Sequence, residues 1–198
     1  MKSTLSDVLS QFDVRGDGPR KPSVTELLDL LNKPALLKWA NKIGLEGVRL
    51  EEYRSKSTAK GDSLHRQIKD YVQTGKPFED SSVGVAFDIF AAEKKIIEVE
   101  KSIETEWFVG RYDAEILWSG ETYLCDFKSS SWVYLENVLQ LTAYRMAFGN
   151  CKVAIVELPS FVFKPLAIQD FSEYENILKS LASIYFSKRK LNSLGMVT

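Results

Sequence analysis

Two apolar runs joined by a two-residue turn, each carrying one aspartate, constrain this chain more than any other feature. The segment from Gly110 to Tyr144 reads GRYDAEILWSGETYLCDFKSSSWVYLENVLQLTAY. Ser119-Gly120 separates the run holding Asp113 from the run Thr122 to Phe127, which is the pattern of a β-hairpin. Side chains alternate along a strand, so Asp126 and Lys128 are expected on one face and Cys125 and Phe127 on the other. The turn folds the Asp113 strand back alongside. Two carboxylates and a lysine are thus expected close together, a set that suits metal-assisted phosphodiester cleavage. Carboxylates bind a hard divalent cation, the cation activates water and neutralises phosphate, and the lysine orients the nucleophile or stabilises developing charge.

An isolated D-x-K tripeptide more often marks a solvated strand face. Its neighbours change the weighting. Asp113 closes a G-x-x-D that starts at Gly110, and Gln140 and Tyr144 lie four apart on a following helix, one above the other on one face. Upstream, Gly61 to His65 forms a G-x-x-x-H holding the only histidine of the chain. A neutral imidazole ligates transition metals and is acceptable to Mn²⁺, the alternative being a hydrogen-bonded histidine at the margin of the core. Alternation puts Glu98 and Glu100 on one face of a strand at 96–100, where either is a further acid or a neighbour of the metal site, unless both are simply solvated. Glu115 shares the face of Asp113.

With 198 residues, 44% hydrophobic and 27% charged, the chain suffices for one sizeable core and a single globular domain. A formal net charge of −1 excludes a broad polycationic surface that wraps duplex DNA, while leaving room for a local basic groove. Only Cys125 and Cys151 are present, too few for a four-cysteine zinc or iron–sulfur site, and both are expected as small buried hydrophobes. The first residues lack the apolar run of a signal peptide, and no stretch reaches transmembrane length, so no membrane partner is expected.

Residues 1–21 end in Gly16-Asp17-Gly18-Pro19 and are expected as a flexible leader, followed by one domain over 22–198. Within it, 22–95 is a helical portion and 96–198 the catalytic core. Ser23 and Glu26 spell a capping box that opens a helix with Leu27, Leu28, Leu30 and Leu31 inward. Pro34 opens a second helix, with Trp39 in the core and Gly44 as its C-cap. Gly61 begins a third, expected to run to Gln73 with Leu64, Ile68 and Val72 buried. Residues 81–92 form a fourth, built on Val85, Phe87, Ile89 and Phe90. After the hairpin come a helix at 135–148, strands at 153–157 and 161–168, and a long helix at 172–191 with Leu178, Leu181, Ile184 and Tyr185 inward. This order predicts an α/β fold, a mixed central sheet flanked by helices.

Taken in sequence, these motifs resemble the PD-(D/E)XK nuclease superfamily, and within it the RecB-type exonucleases. The PSVTELL run, the L-x-x-W of Leu36 to Trp39, the EEYRSKSTAKGDSLH segment and the path from VEKSIETEWFVGRYD to CDFKSS resemble the mitochondrial genome maintenance exonuclease branch, covering most of residues 22 to 190. Tyr112 stands where the superfamily label has proline. The resemblance implies a restriction-endonuclease-like core. It also implies that His65, Asp113 and Asp126, with the backbone carbonyl of Phe127, bind Mg²⁺ or Mn²⁺, and that Lys128 orients or activates water. Gln140 and Tyr144 sit behind the lysine or touch substrate, and Glu98 matches the upstream glutamate unless a two-residue shift selects Glu100. Absence of four cysteines sets the chain apart from the iron–sulfur members.

The function implied is a metal-dependent exonuclease acting on single-stranded DNA at or near free ends, in replication, repair or recombination. A cytoplasmic setting, in a bacterial cell or a phage-infected host, goes with it. One alternative keeps the chemistry and makes the substrate a duplex end in phage or bacterial recombination. Another class is a nucleic-acid-binding module without catalysis, against which stand His65, Asp113, Asp126 and Lys128.

Overall fold

A computed structural model describes residues 20–31, 34–47 and 49–194, with some side chains in the stretch 32–60 left out. Residues 1–19 of the expected leader and the side chain of Trp39 lie outside the described residues. The elements are α1 (Val24–Leu28), α2 (Pro34–Leu45), α3 (Leu50–Thr74), α4 (Ser81–Glu93), β1 (Lys95–Glu104), β2 (Val109–Trp118), β3 (Glu121–Lys128), α5 (Leu135–Phe148), β4 (Lys152–Glu157), β5 (Val162–Pro165) and α6 (Ser172–Ser193). The five strands form one mixed sheet in the order β1-β2-β3-β4-β5. Neighbours are antiparallel except β3 and β4, which are parallel and joined by α5. A parallel pair needs a crossover of this kind, so α5 is held against the strand that carries Asp126 and Lys128.

Both sheet faces are covered. Leu124, Val153 and Ile155 pack with α1, α5 and α6 in one cluster that includes Leu139, Leu178 and Phe186. Tyr123, Cys125, Phe127 and Val156 pack on the other side against Ile68 of α3 and Phe87 and Phe90 of α4. Two-sided burial explains why β3 and β4 read as nearly continuous apolar runs. The α/β expectation of a mixed sheet flanked by helices, with helices leading the chain, is what the structure has.

Local signals placed several elements as expected. Ser23 Oγ accepts from the Glu26 N–H at 3.1 Å and Glu26 Oε2 accepts from the Ser23 N–H at 2.7 Å, a complete capping box. At the hairpin Ser119 and Gly120 have φ of 50° and 78°, the left-handed pair that a type I′ turn requires. Gly75 ends α3 with φ 73°.

Other expectations are corrected. Helix α3 does not start at Gly61 but at Leu50, and it runs 25 residues straight through that glycine. The stretch before Gly61, LEEYRSKSTAK, draws seven of its eleven residues from the good helix formers Leu, Glu, Arg, Lys and Ala, which favour a helix without a clear apolar stripe. Gly44 lies inside α2, and the left-handed glycine that follows the helix is Gly47, with φ 75°. In α4, Phe87 and Phe90 are buried, whereas Val85 and Ile89 are 60% and 63% exposed. Val72 faces out while its neighbour Tyr71 packs against Phe78 and Phe87, because the large ring fills the space under α4 better. In α6 Leu178 and Leu181 are buried as expected, together with Ala182 and Phe186, whereas Tyr185 is half-buried and Ile184 is exposed. The strand expected at 161–168 is shorter, Val162–Pro165. Cys125 is buried as expected, but Cys151 is only half-buried.

Candidate active site

Strands β2 and β3 pair from Trp118↔Glu121 up to Ala114↔Cys125, where the ladder ends. Just past that point Asp113 reaches across with its side chain: its Oδ2 accepts the Phe127 N–H at 2.7 Å. A carboxylate thus replaces a backbone carbonyl as acceptor and is fixed beside β3. The change is visible in packing too. Tyr112 turns toward Tyr144 and Phe148 of α5, while Ala114 and Ile116 pack on the opposite face.

On β3, Asp126 and Lys128 share a face, and Lys128 Nζ lies 2.6 Å from Asp126 Oδ2. Lys128 Nζ also donates to Gln140 Oε1 at 3.2 Å, and Gln140 Nε2 donates to Tyr144 Oη at 2.6 Å. One helical turn separates the last two, so α5 presents them as a stacked pair behind the lysine. From the other side of the sheet α3 brings His65, with Nδ1 3.7 Å from Asp113 Oδ1 and its ring edge-on to Phe127 at 5.5 Å between centroids.

Burial sets the charges here. Asp126 is fully buried, and neither of its oxygens has a hydrogen bond of acceptable direction among the described residues, the close lysine lying off those directions. Desolvation, then the Asp113 carboxylate, push its pKa up to about 7 against the pull of Lys128. Asp113 is raised as well, chiefly by burial, against the opposing Phe127 N–H. His65 is lowered, first by burial, with the Asp126 carboxylate and the Phe127 backbone pulling the other way, so its imidazole favours the neutral, ligating form. Burial raises the Tyr144 phenol far out of the working range, which keeps it a neutral hydrogen-bonding group.

Seven of the eight expected site residues are therefore brought together: His65, Asp113, Asp126, Phe127, Lys128, Gln140 and Tyr144. Glu98 is not among them. It pairs opposite Glu115 in the ladder, and Glu115 in turn accepts from Tyr112 Oη at 3.2 Å, away from the two aspartates. The register of β1 slips between Ile96 and Glu98, and the pairs Val99↔Ala114 and Lys101↔Tyr112 set Glu100 opposite Asp113. With φ of 50°, Glu100 directs its carboxylate to Lys69 Nζ at 3.2 Å and toward Arg111 at 3.7 Å, in the cleft that His65 and Asp113 also line. Lys69 and Arg111 were missed in the sequence. Lys69 is one turn beyond His65 and Arg111 two residues before Asp113, spacings that would have found them.

Among the described residues, no three His, Cys, Asp or Glu side chains are gathered tightly enough to hold a metal ion on their own. The donor chemistry still fits a hard divalent cation. Two close carboxyls, one of which has no directed hydrogen bond and only the Lys128 ion pair, with a backbone carbonyl at Phe127 and one imidazole nitrogen, make an oxygen-rich donor set of the kind Mg²⁺ and Mn²⁺ take. No helix among the described residues is long and apolar enough to cross a membrane.

No protein-family model matches this chain, and no curated protein does. Among solved structures it is similar to the crystal structure of SSO0001, at 13% identity and a TM-score of 0.42, over 91% of this chain and 84% of that one. At that level the likeness carries no functional argument.

Proposed function

We propose that the chain is a metal-dependent deoxyribonuclease that hydrolyses phosphodiester bonds of single-stranded DNA at or near free ends, in DNA repair, replication or recombination. The observation that carries this reading is the lysine held between a buried, unsatisfied carboxyl and a glutamine: Asp126, Lys128 and Gln140 in a row, with Asp113 beside them. A structural role alone does not account for it. Burying two adjacent carboxyls with one lysine costs stability that an apolar set would not. Perturbed acids gathered with a cation are what acid–base and phosphate chemistry need.

Asp113 and Asp126, with the Phe127 carbonyl and His65, would hold Mg²⁺ or Mn²⁺; a divalent cation there supplies charge neutralisation of the phosphate and a lowered pKa for attacking water. Lys128, positioned by Gln140, donates to the water or to the phosphate oxygen and stabilises negative charge as it develops. Tyr144 fixes the amide of Gln140, so that its oxygen faces the ammonium. Lys69 lines the crevice and pairs with Glu100, as does the more exposed Arg111, so the two cations on one carboxylate leave a net positive charge there for the phosphate backbone on a chain of nearly neutral net charge. No iron–sulfur cluster enters this scheme, and a cytoplasmic site of action, in a bacterium or a phage-infected cell, accompanies it.

End-labelled single-stranded and duplex DNA, incubated with Mg²⁺, Mn²⁺ or EDTA, tests the reading. Metal-dependent shortening of the single strand is expected, with duplex cut more slowly. Duplex ends cut in preference would retain the chemistry and change the substrate. No cleavage of either with any metal would refute the reading.

A further inference from the structure

The loop that leads from β3 into α5 carries the most concentrated apolar surface near the site. Trp132, Val133, Tyr134 and Leu135 follow one another and are 73%, 42%, 48% and 50% exposed. A lone exposed apolar residue needs no explanation, but four in succession with two aromatic rings form a patch. The backbone beneath them is tied down. Ser130 Oγ accepts the Trp132 N–H at 3.2 Å, Lys164 Nζ donates to the Ser131 carbonyl at 2.9 Å, and Asn137 Oδ1 accepts the Tyr134 N–H at 2.9 Å. The rings are displayed from a braced loop rather than folded onto the core.

We propose that Trp132 and Tyr134 form a base-stacking platform for a single DNA strand whose backbone enters the site at Asp113, Asp126 and Lys128. This rests on the nuclease reading above and specifies its substrate contact. Position is the first argument. Trp132 follows Lys128 by four residues, so its Cα is at most about 14 Å from that of the lysine by the reach of an extended chain. That span matches roughly four stacked nucleotides. Chemistry is the second. The exposed apolar pair on α4, Val85 and Ile89, is aliphatic and offers no ring. Lys164, which holds the Ser131 carbonyl and pairs with Glu157, braces the backbone beside the rings, and Lys128 lies four residues back on the chain; stacking tolerates any sequence because every base has a π-face. Bases within a duplex are already stacked on each other, so the platform favours single strands.

The test is binding of a labelled thymidine oligonucleotide, an abasic strand of the same length and a duplex, measured by anisotropy in EDTA, for the wild type and for Trp132→Ala, Tyr134→Ala and Trp132→Phe. Each alanine is expected to weaken binding of the thymidine strand by about fivefold to a hundredfold, leaving the abasic strand unaffected. Trp132→Phe keeps a ring and should retain most of the affinity. In the presence of metal, the alanines should raise KM for single strands and leave kcat unchanged. The proposal is overturned if the thymidine strand does not bind, if wild type binds abasic and thymidine strands alike, or if the alanine variants match wild type. It is also overturned if they change only self-association in sedimentation. Cleavage by wild type with unaltered binding by the variants would remove the platform and keep the nuclease. Base-dependent binding without cleavage would do the reverse.

Discussion

Lys128 Nζ lies 2.6 Å from Asp126 Oδ2, yet Asp126, fully buried, has no properly directed hydrogen bond to either oxygen among the described residues. An ordinary core would not keep such a pair. The contact is tight in distance and poor in direction, which leaves the carboxylate oxygens available to another positive centre.

Asp126 therefore links stability to pH. Its carboxyl titrates at about 7 in the fold against a reference of 3.8. A raised acid means the native state holds the extra proton between those values, so the stability it contributes is full below the unfolded pKa and is lost as pH rises through the folded one. In EDTA, wild type should be less stable at about pH 8 than at about pH 5, while Asp126→Asn, which cannot ionise, should show a much flatter profile. Urea denaturation at both pH values measures this. Added Mg²⁺ or Mn²⁺ should raise the melting temperature of wild type, since a ligand at a hundred times its Kd stabilises by about 2.7 kcal/mol, and should do little for Asp126→Asn.

Gln140 positions the lysine from α5, with its Oε1 3.2 Å from Nζ and its amide held by Tyr144. Gln140→Ala should lower kcat on single-stranded DNA by about tenfold to a hundredfold, the cost of a misplaced group, with KM little changed. Tyr144→Phe should produce a smaller loss of the same kind. Steady-state kinetics separate this from lost binding, which would raise KM instead.

Gly110 seats α1 on the sheet. A Cβ there would stand 3.0 Å from Val24 Cγ2 and 3.4 Å from Ile103 Cδ1. Gly110→Ala should destabilise by about 1–3 kcal/mol through overpacking, read as a lower denaturant midpoint, with the catalytic groups intact. Pairing it with Val24→Ala should recover part of the loss.

Gly61 is the opposite case. It sits inside α3, and a Cβ added there would meet no atom of the described residues within 4 Å. Gly61→Ala should stabilise the protein by about 0.5–1 kcal/mol, the usual helix preference for alanine. A thermal melt that moved down instead would show that the glycine serves the fold.

How legible the molecule was depended on range. The Ser23–Glu26 box, the Ser119-Gly120 turn and helix Leu135–Phe148 are written in residues a few positions apart, and they stand where the pattern put them. The contact of Lys128 with Asp126 follows from strand alternation. The first eleven residues of α3 were not legible, because that charged stretch lacks the apolar spacing on which such readings rest. The choice between Glu98 and Glu100 stayed open in the sequence, since a one-residue slip at Ile97 sets Glu100 rather than Val99 opposite Asp113, and no local signal marks it. The close approach of Val24 to Gly110 is tertiary and has no trace in the sequence near either residue.

Cleavage of end-labelled single-stranded DNA by wild type and by Lys128→Ala, at saturating Mg²⁺ or Mn²⁺ and equal protein, tests the central claim most directly. Wild type should shorten the strand and the variant should be slower by about a hundredfold or more, on the order of what one charge-stabilising donor contributes, while its melting temperature still rises with metal. Equal rates for the two proteins, or none for either, would contradict the account.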